Sequence, residues 1–215
     1  NIITSETTEN METTSLRTQS DVQTKISKKV YIKVKRVIDV ILASIALILL
    51  SPLFAIIAIA IKIDSKGPVF FEHKRIGKNG KIIKLYKFRS MVINAEELIK
   101  SFTPEQMKEY KANYKLTNDP RITKVGKFLR KTSLDELPQL INIINGDLSI
   151  IGPRPVVADE LEKYGVNKDK FLSVTPGLTG YWAANGRSNT TYEQRMEMEL
   201  YYIDNLSLKM DIKAV

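Results

Sequence analysis

The sequence predicts an α+β fold that is mainly helical, with an N-terminal membrane helix, a β-hairpin and a helical cytosolic domain. Three observations support this prediction. Residues 40–61 carry no charge, two short β-type stretches flank the turn signal Asn79-Gly80, and most of the later chain is charged and helix-compatible. We therefore expect three regions: a disordered tail (1–24), a basic flank with a membrane helix (25–66), and a cytosolic domain (67–215).

Composition limits the chemistry that the chain can perform. It has 215 residues and a formal net charge of +9, which favours an anionic partner: nucleic acid, an anionic membrane surface or a phosphorylated substrate. The absence of cysteine excludes disulfides and thiolate catalysis. Because His73 is the only histidine, a multi-histidine metal site and a Ser-His nucleophile pair are also excluded. Acid–base chemistry therefore falls to Asp, Glu, Lys or Tyr.

The N-terminal part of the chain changes character twice. Residues 1–24 are rich in Thr and Glu and poor in apolar side chains, which predicts a disordered tail. Basic residues without an acidic one follow, from Lys25 to Arg36. The uncharged run from Val40 to Ile61 then meets the length of about 20 apolar residues that a transmembrane helix needs.

Ser51-Pro52 interrupts the apolar run at its middle. Proline removes one backbone donor and clashes with the preceding turn, so we expect the helix to kink there. Basic residues flank the run on both sides, and such residues favour the cytoplasmic side of a membrane. A re-entrant helix that bends at Ser51-Pro52 satisfies both signals, and a kinked spanning helix is the alternative. The Ser51 hydroxyl is a candidate partner for a carbonyl that the proline leaves unpaired.

Later segments carry clear secondary-structure signals. Residues 69–76 and 81–88 around Asn79-Gly80 predict a β-hairpin, whose lysines face either lipid headgroups or water. Thr103 and Pro104 predict a helix start. A helix near Thr191–Asn205 has Tyr192, Met196, Glu199, Leu200 and Ile203 at three-to-four spacing, which predicts a packing or interfacial role.

The adjacent carboxylates Asp135 and Glu136 have two interpretations. Ser133 and Glu136 match a capping box, and taken alone this structural interpretation is favoured. The surroundings favour chemistry. Five basic residues precede the pair, and Arg154 between two prolines suggests a fixed guanidinium for phosphate. Carboxylates beside phosphate-binding bases are typical of a site where Mg²⁺ bridges them.

The residues alone thus predict a membrane-associated, metal-assisted phosphoryl-transfer site. Two alternatives stay open at this point. One is a non-catalytic, membrane-anchored basic module that binds acidic partners or nucleic acid. The other is a magnesium-dependent lipid phosphatase that uses the same carboxylates.

Five ordered motifs, spread from about Lys35 to Asp211, resemble those of the bacterial sugar transferases, the monotopic phosphoglycosyl transferases. The motifs are "KRVIDV" with the Ser-Pro segment, "GPVFFEHKRIGKNGKIIKLYKFRSM", "KVGKFLRKTSLDELPQLINIINGDLSIIGPRP", "TPGLTGYWAANGRS" and "YEQRMEMELYYIDNLSLKMDI". The resemblance implies an enzyme on the cytoplasmic face of a bacterial inner membrane. It implies transfer of a sugar 1-phosphate from a UDP-sugar to polyprenyl phosphate, typically undecaprenyl phosphate, with release of UMP. This would be the first membrane step of exopolysaccharide, capsule or glycan biosynthesis.

The resemblance also implies roles for single residues. Asp135 would form a covalent phosphosugar–aspartate, and Glu136 would assist metal binding or proton handling. The cofactor would be Mg²⁺ on this pair, with Asp147 a further candidate ligand. Candidates for phosphate binding are Lys87, Arg89, Arg130 and Arg154, and candidates for the nucleotide loop are Asn185 and Arg187.

Trp182 would either stack on uracil or lie in the membrane interface. The expected partners are a UDP-sugar, polyprenyl phosphate and membrane lipids, with no nucleic acid, and a homo-oligomer is a further expectation.

Overall fold

The computed structural model describes residues 3–113, 116–186 and 190–214. Side chains are described for residues 28–111, 116–186 and 190–214. The tail predicted to be disordered (1–24) falls on residues whose side chains lie outside this description, and so that prediction stays untested.

The first helix, α1 (Ile3–Asp64), carries the apolar run and packs one face against the rest of the chain. Its inward face recurs every three or four residues, as expected for an amphipathic contact. This face consists of Ala43, Ala46, Leu47, Leu50, Leu53, Phe54, Ile57 and Ile61. The opposite face leaves large apolar side chains exposed, among them Ile48 (71% exposed) and Leu49 (72%).

Among the described residues, Lys28–Asp64 is the one helical stretch long and apolar enough to cross a membrane, judged by length and composition. The mean hydropathy of its most apolar window is 2.8, and only 11% of that window is buried. The core helix of a soluble domain would be mostly buried. Exposure of this kind instead suits a helix with lipid around its outer face.

Pro52 lies inside α1, and the helix continues through it. Because proline has no N–H, the Ile48 carbonyl loses its partner in the helical ladder. Ser51 Oγ donates a hydrogen bond to this carbonyl oxygen at 2.8 Å. The predicted role of the Ser51 hydroxyl is thereby confirmed, whereas the bend at Ser51-Pro52 stays a prediction.

The predicted hairpin is confirmed. Strand β1 (Phe70–Ile76) pairs antiparallel with β2 (Ile82–Phe88), in a register that runs from Phe70↔Phe88 to Ile76↔Ile82. Asn79 (φ 56°) and Gly80 (φ 76°) both adopt positive φ in the connecting turn. These are residue types that tolerate that conformation, which explains the turn signal.

The rest of the chain is mainly helical, as predicted, with two further short strands. The helices are α2 (Ala95–Leu98), α3 (Pro104–Asn113), α4 (Lys124–Thr132), α5 (Gln139–Asn145), α6 (Ala158–Glu162), α7 (Lys168–Leu172), α8 (Tyr181–Asn185), α9 (Tyr192–Asp204) and α10 (Leu208–Lys213). Strands β3 (Ser149–Ile151) and β4 (Gly177–Thr179) pair in parallel. The predicted cap of α3 is confirmed, since Thr103 exchanges hydrogen bonds with Gln106. Helix α9 starts where it was expected, and Thr191 caps it by exchanging hydrogen bonds with Gln194.

Three buried clusters form the core. Two of them contain the inward face of α1: one with the hairpin and α5, the other with Phe88 of the hairpin and Leu129 of α4. The third cluster joins β3 to the C-terminal helices around Tyr202 and Phe171, and no described residue of α1 belongs to it.

Two carboxylates connect the ends of the apolar stretch to the domain formed by residues 67–215. Asp39, 4% exposed, accepts hydrogen bonds from Ser149 Oγ (2.6 Å) and Ile150 N (3.3 Å), at the start of β3. Asp64 accepts one from Val125 N (2.9 Å), in the first turn of α4. Both ends of the stretch therefore contact the same domain.

Candidate functional site

Asp135 lies in a tight connection between two helices. Helix α4 ends at Thr132, Ser133 adopts a left-handed conformation (φ 58°, ψ 15°), and residues 134–136 form one 3₁₀ turn before α5. The Ser133 side chain makes no capping hydrogen bond, and Glu136 is paired elsewhere. The capping-box interpretation is therefore wrong: the left-handed residue ends α4 and sends the chain sharply back, which places Asp135 inside the fold.

Close packing of α4 against Ser90 sets the position of the basic residue Arg130. A Cβ atom on Gly126 would lie 2.0 Å from the Ser90 carbonyl oxygen, so only glycine allows this approach. Arg130, one turn further along α4, donates from Nε to Ser90 Oγ at 2.8 Å. The positive charge of Arg130 favours the ionised form of Asp135 and so lowers the pKa of that carboxyl. It opposes the effect of burial, which raises this pKa.

The Asp135 carboxyl is 9% exposed, and burial raises its pKa above the ordinary range. The Lys87 ammonium acts in the opposite direction, while the neighbouring Glu136 adds to the rise. Lys87 Nζ lies 2.5 Å from Glu136 Oε1, so the open end of the hairpin is joined to the turn that carries the two carboxylates. A buried carboxylate whose pKa is raised, beside positive charges, is typical of functional sites.

The hairpin brings further basic groups to the same place. Lys87 of β2 lies opposite Phe71 of β1, and residues opposite each other share a face of the hairpin. His73 and Arg75 follow Phe71 at intervals of two residues, so they lie on the same face as Lys87. The pKa of His73 is lowered to about 4, chiefly by burial and in addition by the charges of Arg75, Lys87 and Arg154. Burial likewise lowers the pKa of Arg75, against the carboxylates of Glu160 and Glu136. The sequence did not single out Arg75.

Arg154 follows β3 and its side chain is exposed, while its backbone N–H is bound by a buried carboxylate. Arg154 N donates to Glu199 Oε1 at 3.1 Å, and Glu199 itself is only 2% exposed. Tyr164 OH and Arg195 Nε (3.3 Å) also donate to the Glu199 carboxylate. The spacing of α9 predicted packing for Glu199. The sequence signal that could have identified this contact is an acidic residue, Glu199, on the inward face of a helix with Arg195 four residues before it.

Some predicted site residues are placed elsewhere. Arg89 is 7% exposed and donates to the Lys66 carbonyl and, at 2.8 Å, to the Ser65 carbonyl, just beyond the C-terminus of α1. Its guanidinium therefore closes a helix end, and these contacts give no support to a phosphate role. The reason is local: the hairpin leaves Arg89 directly beside the last turn of α1.

Asp147 makes its ion pair with a different lysine from that of Glu136. It pairs with Lys81 at 3.3 Å, near the turn of the hairpin, whereas Glu136 pairs with Lys87 near the open end. Six residues of extended strand separate the two lysines by about 20 Å. These contacts therefore give no support to Asp147 as a ligand of a metal ion at Asp135 and Glu136.

The predicted nucleotide loop is described only in part. Asn185 donates to the Tyr181 carbonyl at 2.8 Å, inside its own helix, and Arg187 lies outside the described residues. Trp182 donates from Nε1 to Thr190 Oγ1 at 2.7 Å, and the Arg195 guanidinium lies 4.8 Å from its ring centroid.

The donor set of the turn suits one kind of metal ion. Within residues 28–111, 116–186 and 190–214, no three His, Cys, Asp or Glu side chains cluster. A metal here would thus depend on Asp135 and Glu136 together with substrate phosphate and water. This is the arrangement that Mg²⁺ prefers in proteins.

Comparisons with known proteins identify the family of the chain. The profile of the family described as "Bacterial sugar transferase" matches residues 30–215. The chain is 47% identical to exopolysaccharide production protein ExoY of Rhizobium meliloti over 184 residues, which cover 84% of this chain and 81% of that protein.

Two other relatives are longer. Identity is 42% with the undecaprenyl-phosphate galactose phosphotransferase of Salmonella typhimurium, over 89% of this chain and 40% of that protein. It is 41% with the UDP-glucose:undecaprenyl-phosphate glucose-1-phosphate transferase of Escherichia coli, over 84% of this chain and 38% of that protein. The chain thus spans about two fifths of these relatives. The family match covers most of the chain, and the protein belongs to the bacterial sugar transferase family.

Proposed function

We propose that the protein transfers a sugar 1-phosphate from a UDP-sugar to undecaprenyl phosphate and releases UMP. One observation carries the proposal: Asp135 is buried beside Lys87, Arg130 and Glu136, on a turn that has no capping role. The printed names of the relatives supply the substrate class, since two of them act on undecaprenyl phosphate and one is named for UDP-glucose.

The chemistry proceeds in two displacements at one phosphorus atom. An Asp135 carboxylate oxygen bonds to the sugar-bearing phosphorus, and the bond to the bridging oxygen breaks, so that UMP leaves with the electron pair. A phosphosugar–aspartate results. A phosphate oxygen of undecaprenyl phosphate then bonds to the same phosphorus, and the Asp135 carboxylate is released unchanged.

The basic residues around Asp135 reduce the electrostatic repulsion between the substrate phosphates and the two carboxylates. Lys87 and Arg130 adjoin Asp135, and Arg154 adjoins them through the hairpin face. Preorganised cations of this kind stabilise the charge that moves onto the oxygens during displacement. Asp135 and Glu136 would hold Mg²⁺, which when bound neutralises diphosphate charge. Glu136 stays paired with Lys87 and so fixes the ammonium beside the nucleophile.

We further propose that α1 enters the membrane without crossing it and keeps both ends on the cytoplasmic face. The contacts of Asp39 with β3 and of Asp64 with α4 support this, because one domain cannot contact both ends of a helix that spans the bilayer. Basic residues on both flanks favour the cytoplasmic side. A re-entrant path also explains the exposed apolar face of the helix.

The test is a UMP-release assay with the membrane-bound protein, undecaprenyl phosphate, Mg²⁺ and a panel of UDP-sugars. We expect Asp135→Asn to abolish release while membrane binding persists. Asp169→Asn, at an exposed position in α7, is the matched control and should retain full turnover.

Undiminished turnover in Asp135→Asn would remove the proposed nucleophile. The same assay addresses the two alternatives from the sequence. Inorganic phosphate in place of UMP would indicate a lipid phosphatase. Salt-sensitive binding with no product and no response to Asp135→Asn would indicate a basic binding module.

A further inference from the structure

Arg130 differs from the other described arginines in the way its guanidinium is bound. Its Nε donates to Ser90 Oγ at 2.8 Å, and in the part of the chain whose side chains are described its two Nη atoms have no hydrogen-bond or ion-pair partner. Arg36 and Arg89, by contrast, donate from both Nη atoms to backbone carbonyl oxygens. Arg130 is therefore the described arginine that is held through Nε alone, with both Nη ends left open.

The group that holds Arg130 is uncharged. Arg121 is paired with Asp119 at 2.7 Å, and Arg195 with Glu199 at 3.3 Å, so a carboxylate offsets the positive charge in both cases. A serine hydroxyl accepts the Nε–H bond and carries no charge of its own. It can therefore fix the plane of the Arg130 guanidinium and leave the positive charge available to another group, which a structural ion pair would not do.

Ser90 is itself fixed by its backbone. The residue is 7% exposed, and its carbonyl oxygen accepts a hydrogen bond from Thr123 N at 3.1 Å, at the N-cap of α4. Gly126 packs so closely on the same peptide group that a Cβ atom there would lie 2.0 Å from the Ser90 carbonyl oxygen. The Ser90 hydroxyl is therefore a fixed point against which the long side chain of Arg130 is aligned.

The guanidinium held in this way is close to the proposed nucleophile but is not paired with it. The positive charge of Arg130 lowers the pKa of Asp135, although the two side chains form no ion pair among the described residues. An arginine paired with Asp135 would compete with the phosphorus for the carboxylate. An arginine whose Nη atoms are open can instead offer a planar, two-pronged donor to phosphate oxygens.

Orientation, rather than stability, is what this hydrogen bond provides. Arg130 is an exposed residue, so water can reach its side chain and the bond to Ser90 adds little to the stability of the fold. An unrestrained arginine side chain loses considerable rotamer freedom when it binds a ligand. A hydroxyl that already holds the guanidinium reduces this loss and keeps the donors in one direction.

We infer that Ser90 is a positioning residue for the transfer reaction: its hydroxyl orients the guanidinium of Arg130 toward the phosphate that Asp135 attacks. This inference rests on the proposed function and adds to it a residue that touches neither the substrate nor a metal ion. The effect of Ser90 is on the rate of the chemical step. A preorganised cation stabilises the charge that develops in the transition state, whereas a mobile one still attracts the diphosphate of the bound substrate.

The kinetic test compares kcat and KM for the UDP-sugar with the protein in nanodiscs. For Ser90→Ala we expect kcat to fall by about tenfold or more, because the guanidinium is no longer aligned, with KM nearly unchanged. Ser173→Ala is the matched control. It removes an exposed hydroxyl, which donates to the Lys170 carbonyl at 2.7 Å, and should behave as the wild type. An unchanged kcat in folded Ser90→Ala would overturn the inference, as would a rise in KM with kcat preserved.

A double-mutant cycle tests whether Ser90 acts through Arg130. Arg130→Met alone should lower kcat by more than Ser90→Ala does, because it removes the cation itself. In the Arg130→Met background, Ser90→Ala should have little further effect, since no guanidinium is left to orient. The same loss of kcat in the two backgrounds would overturn the inference, because Ser90 would then act by another route.

NMR of the arginine side chains provides a readout that needs no turnover. In protein with isotopically labelled arginine, the Nε–H signal that disappears in Arg130→Lys belongs to Arg130. We expect this hydrogen to exchange slowly with water in the wild type and severalfold faster in Ser90→Ala. The Nε–H signal of Arg195, which donates to Glu199, should not change. Should Ser90→Ala not fold, the wild-type rate decides, because exchange as fast as in free arginine would overturn the inference.

These readouts separate two failures. If UMP is released in the transfer assay while the Arg130 Nε–H exchanges freely, or while the two substitutions act independently, only the role of Ser90 is overturned. If no UDP-sugar supports transfer, the proposed function is overturned, and the role of Ser90 with it, whatever the exchange rate of the Arg130 Nε–H.

Discussion

Lys87 Nζ lies 2.5 Å from Glu136 Oε1, and this ion pair joins the open end of the hairpin to the turn that carries Asp135. The two side chains are 21% and 33% exposed, so the pair is only partly screened by water. Its role is electrostatic as well as mechanical, because the Lys87 charge also counteracts the burial that raises the pKa of Asp135.

Replacing Lys87 tests this role. We expect Lys87→Met to lower sugar-phosphate transfer by about 10²–10³-fold, since it removes a preorganised cation from the reacting phosphate and leaves Glu136 unpaired. The measurement is UMP release at saturating UDP-sugar. Lys84→Met is the matched control, because Lys84 pairs with Glu72 (2.8 Å) in an exposed position on the same hairpin. Similar losses in the two variants would show that hairpin stability, rather than the charge at the turn, is responsible.

Ser133 offers a test of backbone conformation. A non-glycine residue at φ 58° is strained, so we expect Ser133→Gly to raise the free energy of unfolding by about 0.5–1 kcal/mol. Ser133→Ala should change it by less than about 0.5 kcal/mol, because the Ser133 side chain caps nothing. Thr123→Ala should cost about 1 kcal/mol, since Thr123 Oγ1 accepts from Gly126 N at the true N-cap of α4. A loss of about 1 kcal/mol in Ser133→Ala would contradict this account and restore the capping box.

The same turn shows what a sequence can and cannot predict. The hairpin, the starts of α3 and α9 and the apolar helix were all predictable, because turn residues, caps and hydrophobic runs act locally. The motif at Ser133 and Glu136 matched a local rule and was misleading. What decides the structure there is Lys87, 49 positions away from Glu136 in the sequence, and no local pattern contains that contact.

His73 allows a test of pH dependence. Its pKa is about 4 in the folded protein and about 6.5 in an unfolded chain. Between these values the unfolded state binds the proton preferentially, so this residue's contribution to stability is present above about pH 6.5 and is lost as pH falls towards 4. The slope from one such group is at most about 1.4 kcal/mol per pH unit. We expect His73→Gln to flatten the stability profile across this window.

NMR of the imidazole provides a direct check, because the protein has one histidine. In selectively labelled protein, we expect the His73 resonance to titrate near pH 4. A midpoint near the ordinary value of about 6.5 would contradict the picture of a neutral side chain packed among Arg75, Lys87 and Arg154.

Ser51 and Pro52 form a compensating pair that can be tested by a double-mutant cycle. In nanodiscs, Ser51→Ala should lower the free energy of unfolding by about 1 kcal/mol, because the Ile48 carbonyl is left without a partner in lipid. In a Pro52→Ala background the same change should have little effect, since the alanine that replaces the proline supplies the missing N–H. Thermal unfolding of the four proteins gives the coupling. Equal effects of Ser51→Ala in the two backgrounds would contradict the proposed compensation.

The candidate site was only partly predictable for a related reason. Asp135, Glu136, Lys87, Arg130 and Arg154 were recognisable from the resemblance and their charges. Arg75, Arg195 and Glu199 were not, because their importance comes from elements that meet only in the folded chain. The contacts of Arg89 with the end of α1 and of Asp147 with Lys81 were not predictable either, because they join elements that are distant in the sequence.

The attachment of Asp39 to β3 and of Asp64 to α4 limits how the protein can be engineered. If α1 were deleted or exchanged for an unrelated hydrophobic segment, these hydrogen bonds to β3, which precedes Arg154, and to α4, which precedes Asp135, would be lost. A water-soluble version would instead have to keep the inward side of α1 and its two carboxylates, and introduce polar residues only at outward positions such as Ile48, Leu49 and Ile59. In this protein the apolar helix is part of the scaffold that holds the candidate site.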